Sequence, residues 1–469
     1  MADTTDDPSA GPTPAPRHVN HELSPMRCPV HLDDVDLFGD GAPEHWYEAY
    51  EILHREAPVW RLPGRGLVPG TDAFVITKHD DLTRIVRDPE RFTVLGQQRV
   101  ADLARDGLTA EEAYERVRNL MTASMVSLRP TQELYNRHRR ELTDPWVGTG
   151  APRHREMITR HANDLIDRWI DRGEVEFVGE FARPLPQRVM ASVLGFPQDD
   201  VPRLAEWGSA VVVPFVHGDG LHHSVRRDQM ADMLARLEGF QEYIHDHVVA
   251  KRADPHDDMV SYLCGVHYDA LGRPLTDLEI AGIVHAMILG GLETTQYALE
   301  EQAQLLCEHP GLFEELRADR SKVRGFVEES LRLRSPTHGL STRITAQDEV
   351  FHGVAVPKGS LLHLRFAAAN VDPDEFECPF EMDIDREGVT RHVAFSAGPR
   401  VCPGANLSRV EQQVAWNVLL DRVESIEYGD GNDWLHQPGI MLGTLKLHLR
   451  FTKADPPLSL GTGRTSSST

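Results

Sequence analysis

One loop, residues 395–404 (F-S-A-G-P-R-V-C-P-G), holds a cysteine between glycines directly ahead of a helix, so the fold must leave room beside it for a partner. The helix is predicted by apolar residues at helical spacing: Leu407, Val410, Val414, Val418 and Leu419. Amides and the macrodipole at a helix N-terminus, together with Arg400, are expected to lower the pKa of Cys402. Because Gly398 and Gly404 have no side chains, the backbone of the loop can lie close to a flat, bulky ligand. The sulfur is predicted to be a ligand or nucleophile, although free cysteines are more often small buried hydrophobes.

A second pattern predicts one long helix. Residues 276–279 (T-D-L-E) form a capping box, and apolar residues then recur at helical spacing up to Pro310. About thirty residues, at about 1.5 Å each, would span roughly 45 Å and cross a whole domain. Gly290 and Gly291 inside this helix cost about 2 kcal/mol relative to alanine. They indicate either close helix packing or a widened groove with Glu293 and Thr294 at its edge.

The composition is that of a large folded protein with an acidic surface. The chain has 469 residues, 40% of them hydrophobic, and a formal net charge of -24. Nucleic acid and anionic membranes repel such a protein, so neither is a predicted partner. The N-terminal residues form neither a basic segment nor an apolar run, which predicts no signal peptide and no membrane anchor. Five scattered cysteines without zinc spacing fit a reducing cytoplasm.

Periodicity predicts a mainly α protein with a small β region. Besides the long helix, the predicted helices are 46–55, 111–125, 161–172, 185–194 and 321–334. The predicted strands are 59–62, 74–77, 350–351, 354–356, 361–366 and 445–451. Residues 211–227 fit a mobile lid over a substrate mouth. No internal linker is evident, so one domain is predicted over 19–453, between disordered tails at 1–18 and 454–469.

Three motifs resemble one family. The cysteine loop fits F-x-x-G-x-R-x-C-x-G, residues 290–295 (G-G-L-E-T-T) fit [AG]-G-x-[DE]-T-T, and residues 329–332 (E-S-L-R) fit E-x-x-R. The chain therefore resembles the soluble bacterial members of the cytochrome P450 family, the haem-thiolate monooxygenases, over about residues 40–453. The resemblance implies the cytochrome P450 fold, with haem enclosed between a long central helix and the cysteine loop.

The resemblance also implies roles around the cofactor, haem b (iron protoporphyrin IX). Cys402 would be the axial ligand of the iron, so it is also the predicted metal-binding residue. Phe395 would shield the sulfur, Arg400 and Arg343 would contact haem propionates, and Gly398 and Gly404 would shape the loop.

Residues 129–142 (R-P-T-Q-E-L-Y-N-R-H-R-R-E-L) lie where the family often has P-P-x-H-x-x-x-R. Arg139 then takes the arginine position as a propionate contact, and Tyr135 stands in the histidine position. The alternative is that this run of charges is an ordinary solvated helix face.

Glu329 and Arg332 lie three residues apart and largely off the apolar stripe of their predicted helix. Spacing alone predicts a surface ion pair of little worth. The resemblance instead implies a buried pair, joined by Arg386, that holds the proximal side of the haem pocket.

The resemblance assigns Glu293 and Thr294 to proton delivery during oxygen activation. It implies these substrate contacts: Met287, Gly290, Thr337, His338 and Leu340. Residues 439–443 form a second predicted substrate-facing turn. Because apolar side chains dominate, the expected substrate is an apolar small molecule, to which His338 adds one hydrogen bond.

The implied reaction is insertion of one oxygen atom of O₂ into the substrate. A peroxide-driven haem-thiolate enzyme and a non-catalytic haem sensor or carrier remain alternatives, and a cysteine hydrolase would need a partner such as His392. No strand is followed by G-x-G-x-x-G, so a ferredoxin-type redox partner with its reductase is expected to supply electrons. The predicted docking surface, here called the basic spot, comprises Arg137, Arg139, Arg140 and Arg409.

Overall fold

The computed structural model describes residues 26–66, 71–94, 128, 131–213, 227–339, 341–437 and 439–455. Its α-helices are α1 Trp46–Glu56, α2 His79–Arg87, α3 Gln132–His138, α4 Arg155–Ile166, α5 Pro184–Leu194, α6 Val201–Val213, α7 Arg227–Ala253, α8 Met259–Gly265, α9 Asp277–Gly291, α10 Thr294–Glu308, α11 Leu312–Ala318, α12 Val323–Leu333, α13 Phe366–Asn370 and α14 Ala405–Arg422. The predicted helix 111–125, most of the predicted lid and Leu340 lie outside the described residues.

Short strands complete the described fold. They are β1 Val59–Leu62, β2 Ala73–Ile76, β3 Phe92–Thr93, β4 Glu174–Glu176, β5 His267–Tyr268, β6 Arg273–Pro274, β7 Ser341–Thr345, β8 Glu349–Phe351, β9 Val354–Val356, β10 Leu361–Leu364, β11 Val423–Tyr428 and β12 His448–Lys453. The largest sheet has the order β1-β2-β10-β7-β3, with β2 and β10 parallel and the other pairs antiparallel. This sheet joins distant parts of the chain, and the predicted class, mainly α with a small β region, is confirmed.

The predicted long helix is divided in two. The capping box at Thr276 starts α9 as expected, but α9 ends at Gly291 and α10 begins at Thr294. At the break, the Thr294 hydroxyl donates to the carbonyl oxygen of Gly290 at 2.8 Å. A threonine side chain that takes the i−4 carbonyl competes with the backbone for it, which bends or opens a helix. The predicted long helix is therefore present over residues 277–308 but opens at this point.

The largest core cluster surrounds the helices on either side of the cysteine loop. The apolar stripe predicted for α14 is buried, and Trp416 on this helix meets Phe326 of α12 edge-on with ring centroids 5.7 Å apart. Thr295 of α10 and Ser408 of α14 share a hydrogen bond of 3.0 Å. These contacts fix the helix after the cysteine loop against the C-terminal half of the interrupted helix.

One helical stretch in the described residues, 277–308, is long and apolar enough to cross a membrane by length and composition. Half of its most apolar window is buried inside the protein. A core helix passes the same test, and α9 and α10 have the packing of core helices.

Candidate active site

The cysteine loop is held by backbone geometry that its glycines permit. The Cys402 amide donates to the Phe395 carbonyl at 2.9 Å and closes the loop. Gly398 has φ +66, and a Cβ there would lie 3.0 Å from Arg87 Cγ and 3.1 Å from the Val86 carbonyl of α2. Only glycine combines this backbone conformation with such close packing.

The Cys402 thiol has a raised pKa in the protein alone, which differs from the sequence prediction. Burial raises it, and the amides of Gly404 and Ala405 and the charges of Arg139 and Arg409 act in the opposite direction without overcoming it. Arg400 is not among these charges. The helix N-terminus thus has the predicted effect on the sulfur, but desolvation of the charged form is larger.

Arg343 on β7 is buried, and it shares its sign of charge with the half-buried Arg400 in the loop. Burial and then the charge of Arg400 lower the pKa of Arg343 to about 10, and burial lowers that of Arg400. Arg343 is 6% exposed and donates to the carbonyl of Thr342, but no described carboxylate lies within ion-pair distance of it. Tyr135 stacks under the Arg400 guanidinium at 4.4 Å. A buried guanidinium without a carboxylate calls for an anionic partner from outside the chain.

Arg139 contacts the loop itself. Its Nη1 donates to the Val401 carbonyl at 2.6 Å, and its Nη2 lies 3.7 Å from Asp144. These contacts brace the residue before the cysteine, while Tyr135, in the expected histidine position, reaches Arg400.

The two adjacent glycines of α9 face different surroundings. A Cβ on Gly291 would lie 2.7 Å from Met190 Sδ of α5, so this glycine permits close helix packing. A Cβ on Gly290 would meet no atom of the described part of the chain within 4 Å beyond its own helix, and Gly290 is exposed. Each sequence interpretation therefore applies to one glycine, with packing at Gly291 and an open face at Gly290.

Beside this open face lies a carboxyl group in an apolar setting. Burial raises the pKa of Glu293, although the hydrogen bond from the Tyr297 hydroxyl, at 3.2 Å, and the charge of Arg183 lower it. Thr294 occupies the hydrogen bond to Gly290 described above. The sequence interpretation missed Tyr297, whose i, i+4 spacing from Glu293 is the signal that predicts the contact.

The predicted substrate contacts fall in two environments. Met287 is 8% exposed, and Thr337 bridges Met441 in the turn at 439–443. Tyr297, Ile440 and Met441 form a small apolar cluster with Leu289 packed against it, here called the apolar cluster. The turn thus meets the middle of the interrupted helix.

His338 lies in the core beside α1. It is fully buried, stacks on Trp46 of α1 with ring centroids 4.3 Å apart, and its Nδ1 shares a 2.8 Å hydrogen bond with the Tyr50 hydroxyl. These contacts give the histidine a structural role, and the substrate contact assigned to it stays a prediction.

Glu329 and Arg332 lie side by side on α12 with no exposed side-chain surface. Two hydrogen bonds of 2.7 and 2.8 Å join them, and Arg386 donates to Glu329 at 2.9 Å. Arg332 also donates to the carbonyls of Asn370 and Pro379. Because every charge has a partner, the cluster can be stable in a dry interior. The surface pair predicted from spacing alone is not what the structure contains.

A second buried carboxylate cluster escaped the sequence interpretation. Glu328 binds His392 at 3.0 Å and Arg409 at 2.7 and 2.9 Å, and Arg409 stacks over the Phe395 ring at 4.5 Å. His392 Nδ1 accepts from the Ala394 amide, so its Nε2 carries the proton given to Glu328. Both ring nitrogens are therefore engaged, and His392 is not available as a base for a cysteine hydrolase.

The basic spot is also smaller than expected. Arg409 is held by Glu328, Arg137 pairs with Glu141 at 3.0 Å, and Arg139 binds the loop. Among the described residues of the spot, Arg140 is the exposed arginine without an ion pair.

Comparison with known proteins agrees with this geometry. The family model for Cytochrome P450 matches residues 222–451. The cyclomarin C epoxidase CymV of Salinispora arenicola is 31% identical over 385 residues, which cover 81% of this chain and 91% of that protein. The chain belongs to the cytochrome P450 family.

Other cytochromes P450 match over similar lengths. The 6-deoxyerythronolide B hydroxylase of Saccharopolyspora erythraea is 29% identical over 87% of this chain and 96% of its own. The solved structure of the bacillaene polyketide synthase cytochrome P450 PksS of Bacillus subtilis has 23% identity and a TM-score of 0.73, covering 89% of this chain and 100% of that chain. The predicted family, the cytochrome P450 fold and the enzyme class, a cytochrome P450 monooxygenase, are confirmed.

The residues present fit the haem that this family binds. Arg343 offers a buried positive charge that no described carboxylate pairs with, as a haem propionate requires. Cys402 is a free, partly exposed cysteine in the loop, and its sulfur offers a ligand atom of the kind that haem iron binds. Among the described residues apart from its chain neighbours, a Cβ on Gly404 would meet Cys402 Sγ alone, at 4.0 Å, which leaves room beside the sulfur for a flat group.

Proposed function

We propose that this cytochrome P450 inserts one oxygen atom of O₂ into an apolar small molecule, by hydroxylation or a related oxidation. The observation that carries the proposal is the open face at Gly290, which lies along the same helix as the protonable Glu293 and the apolar cluster. A binding surface for an apolar substrate and a group that can donate a proton therefore lie at one place.

The cofactor in this proposal is haem b, held by Cys402 through its sulfur and by Arg343 and Arg400 through its propionates. When bound, haem supplies electron storage and oxygen activation, chemistry that amino-acid side chains lack. The chain orients it: Arg139 braces the backbone at Val401, and the Glu329 cluster holds the segment that leads to the loop.

The Cys402 ligation is tested by the carbon monoxide difference spectrum of the reduced protein. Cys402→Ala is expected to lose the thiolate-type Soret band, while the wild-type chain shows it. A variant that keeps this band moves the ligand to another residue, and a wild-type chain without it removes the haem-thiolate assignment.

Glu293 and Thr294 are proposed to deliver protons. A carboxyl whose pKa is raised by burial holds and releases a proton closer to neutral pH, as a relay group requires. The Thr294 hydroxyl, which donates to Gly290 in the structure, turns by one rotamer to donate elsewhere and accept from water.

Thr294→Ala is expected to bind haem and substrate and to consume reductant, yet to release peroxide instead of oxidised product. Glu293→Gln is expected to slow turnover itself. Thr295→Ala is the matched control, because it removes a neighbouring hydroxyl that instead bonds Ser408. If Thr294→Ala keeps product per electron consumed and Glu293→Gln keeps normal turnover, the relay is refuted and the two residues serve only to pack the helix.

The substrate class rests on apolar residues at the interrupted helix and the 439–443 turn. Met287, Leu289, Ile440 and Met441 line this region, and burying apolar surface is the main attraction such a wall offers. Relatives are named for cyclomarin C, 6-deoxyerythronolide B and a steroid. A terpenoid, steroid, fatty or aromatic compound is proposed here, and a spectral-shift screen of such compounds against polar analogues tests the class.

Electrons are proposed to come from a ferredoxin-type protein with its reductase, in the cytoplasm. Arg140 is exposed and follows Arg139, which binds the cysteine loop at Val401, so its guanidinium suits an acidic partner. A peroxide-driven enzyme would need no such partner, so product formation with ferredoxin, reductase and O₂ but without peroxide favours the proposal.

A further inference from the structure

Three ligating side chains outside the haem pocket converge at the start of α2. His79 and Asp80 open this helix, and Glu375 follows α13 in a loop packed against it. One ligand atom from each residue lies within 4.8 Å of the other two. None of the three takes part in the site described above.

The hydrogen bonds of His79 prepare one of its nitrogens for a metal. The residue is 7% exposed, and its Nε2 lies 3.1 Å from the Arg391 carbonyl. A carbonyl only accepts, so Nε2 carries the hydrogen and Nδ1 of the neutral ring keeps its lone pair. Nδ1 is buried and has no hydrogen-bond partner among the described residues, while Glu375 Oε2 lies 3.8 Å from it. Metal-binding histidines are oriented in this way, with the second nitrogen donating to a carbonyl.

The surrounding charges favour a cation. Glu375 Oε1 accepts from Arg391 at 2.5 Å, which leaves Oε2 directed toward His79. Lys78 is neutralised by Asp372 and Asp374 at 2.7 and 2.5 Å. Asp80 is exposed, so its carboxylate can move and the remaining coordination positions are open to water.

We propose that His79 Nδ1, Glu375 and Asp80 bind a divalent transition-metal ion of the zinc class. Zinc bonds of about 2.0–2.2 Å to nitrogen and oxygen place two ligands about 3–4 Å apart, which the 3.8 Å separation of Nδ1 and Oε2 matches. Imidazole with carboxylates suits zinc better than magnesium or calcium, which prefer oxygen alone.

The bound ion would tie the start of α2 to the loop after α13. The other end of α2, at Val86 and Arg87, packs against Gly398 of the cysteine loop. Zinc therefore stabilises the helix that supports the haem-binding loop, without touching the haem.

Isothermal titration of zinc into the haem-loaded full chain tests the site. With 24 histidines in the chain, weak binding elsewhere is expected, so wild type is compared with variants. His79→Gln, Glu375→Gln and the exposed, fold-preserving Asp80→Asn should each weaken the tightest site at least tenfold. Zinc should raise the unfolding temperature of the wild type and not that of His79→Gln.

His352→Gln is the matched control, because His352 pairs with Asp81 of the same helix at 2.7 Å outside the cluster. This variant should bind zinc as the wild type does. If the wild type, Asp80→Asn and His79→Gln give the same isotherm, or if His352→Gln alone loses the tight site, the proposal is overturned and His79 and Glu375 form only an ion pair.

Discussion

Two glutamates buried close to the cysteine loop respond to their surroundings in opposite ways. Burial raises the pKa of Glu328, but hydrogen bonds and charges from His392 and Arg409 outweigh it and lower the pKa to about 2. Glu411 on α14 is 2% exposed, and burial raises its pKa to about 8. The sequence presents both as ordinary helix glutamates.

Glu328→Gln is expected to destabilise the fold by roughly 2–4 kcal/mol at pH 7, since a shift of about two units in pKa corresponds to about 3 kcal/mol. The folded pKa lies below the unfolded value. The stabilisation is therefore complete above about pH 4.5 and is lost as the pH falls toward 2. Chemical unfolding of the wild type and of Glu328→Gln at pH 7 and pH 4 measures it. The wild type should lose more stability than the variant as the pH falls, and an equal loss in both proteins contradicts the prediction.

Glu411→Gln is expected to have the opposite effect. Its folded pKa lies above the unfolded value near 4.5, so ionisation of the unfolded chain costs the native protein stability as the pH rises from 4.5 to 8. Glutamine removes this cost, and the variant should be more stable than wild type by roughly 2–4 kcal/mol at pH 7. Unfolding curves at pH 5 and pH 7.5 provide the test, and a difference independent of pH refutes the explanation.

At the scale of the element, four residues at the break between α9 and α10 have different structural tasks. Thr294 takes the Gly290 carbonyl, Gly291 admits Met190, and Glu293 lies in the gap. In a regular helix the Gly290 carbonyl would accept only the backbone hydrogen bond from residue 294, and the open face at Gly290 would close.

The two glycines are expected to tolerate alanine differently. Gly291→Ala places a Cβ 2.7 Å from Met190 Sδ and should cost about 1–3 kcal/mol of stability, part of which Met190→Ala restores in the double variant. Gly290→Ala should leave stability unchanged or raise it by up to about 1 kcal/mol, because alanine favours the helix. It should instead weaken binding of carbon monoxide or substrate. Equal effects in thermal unfolding contradict the distinction between the glycines.

At the scale of the whole molecule, a net charge of -24 coexists with the positive charge of the basic spot, where Arg139 binds the cysteine loop at Val401. Arg140 carries most of it, because Arg137 and Arg409 are paired with glutamates. The proposed acidic ferredoxin would thus be attracted only locally, and its docking should depend strongly on ionic strength.

Arg140→Glu is expected to slow reduction by ferredoxin several-fold at low salt and to change little at high salt. Arg409→Gln is a poorer probe, because it removes one of the two partners of the buried Glu328. Arg160→Glu, at an exposed position of α4, is the control for net charge. Stopped-flow reduction across a salt series measures the effect, and salt-independent rates in the wild type exclude this surface.

The sequence by itself determined features that depend on neighbouring residues. The cysteine loop, the stripe of α14 and the capping box at Thr276 follow from spacing and local propensity. Motifs of this kind also carried the family resemblance, which the comparisons confirmed.

The tertiary structure alone decided what depends on distant residues and on burial. His338 was brought to Tyr50, which lies 288 residues away, and His392 to Glu328 across 64 residues. The break at Thr294 depends on which group wins the Gly290 carbonyl, and the raised pKa of Cys402 depends on how completely folding removes water. Residue spacing predicts neither the partner of the Gly290 carbonyl nor the pKa of Cys402, because desolvation and long-range hydrogen bonds arise only when the chain is packed.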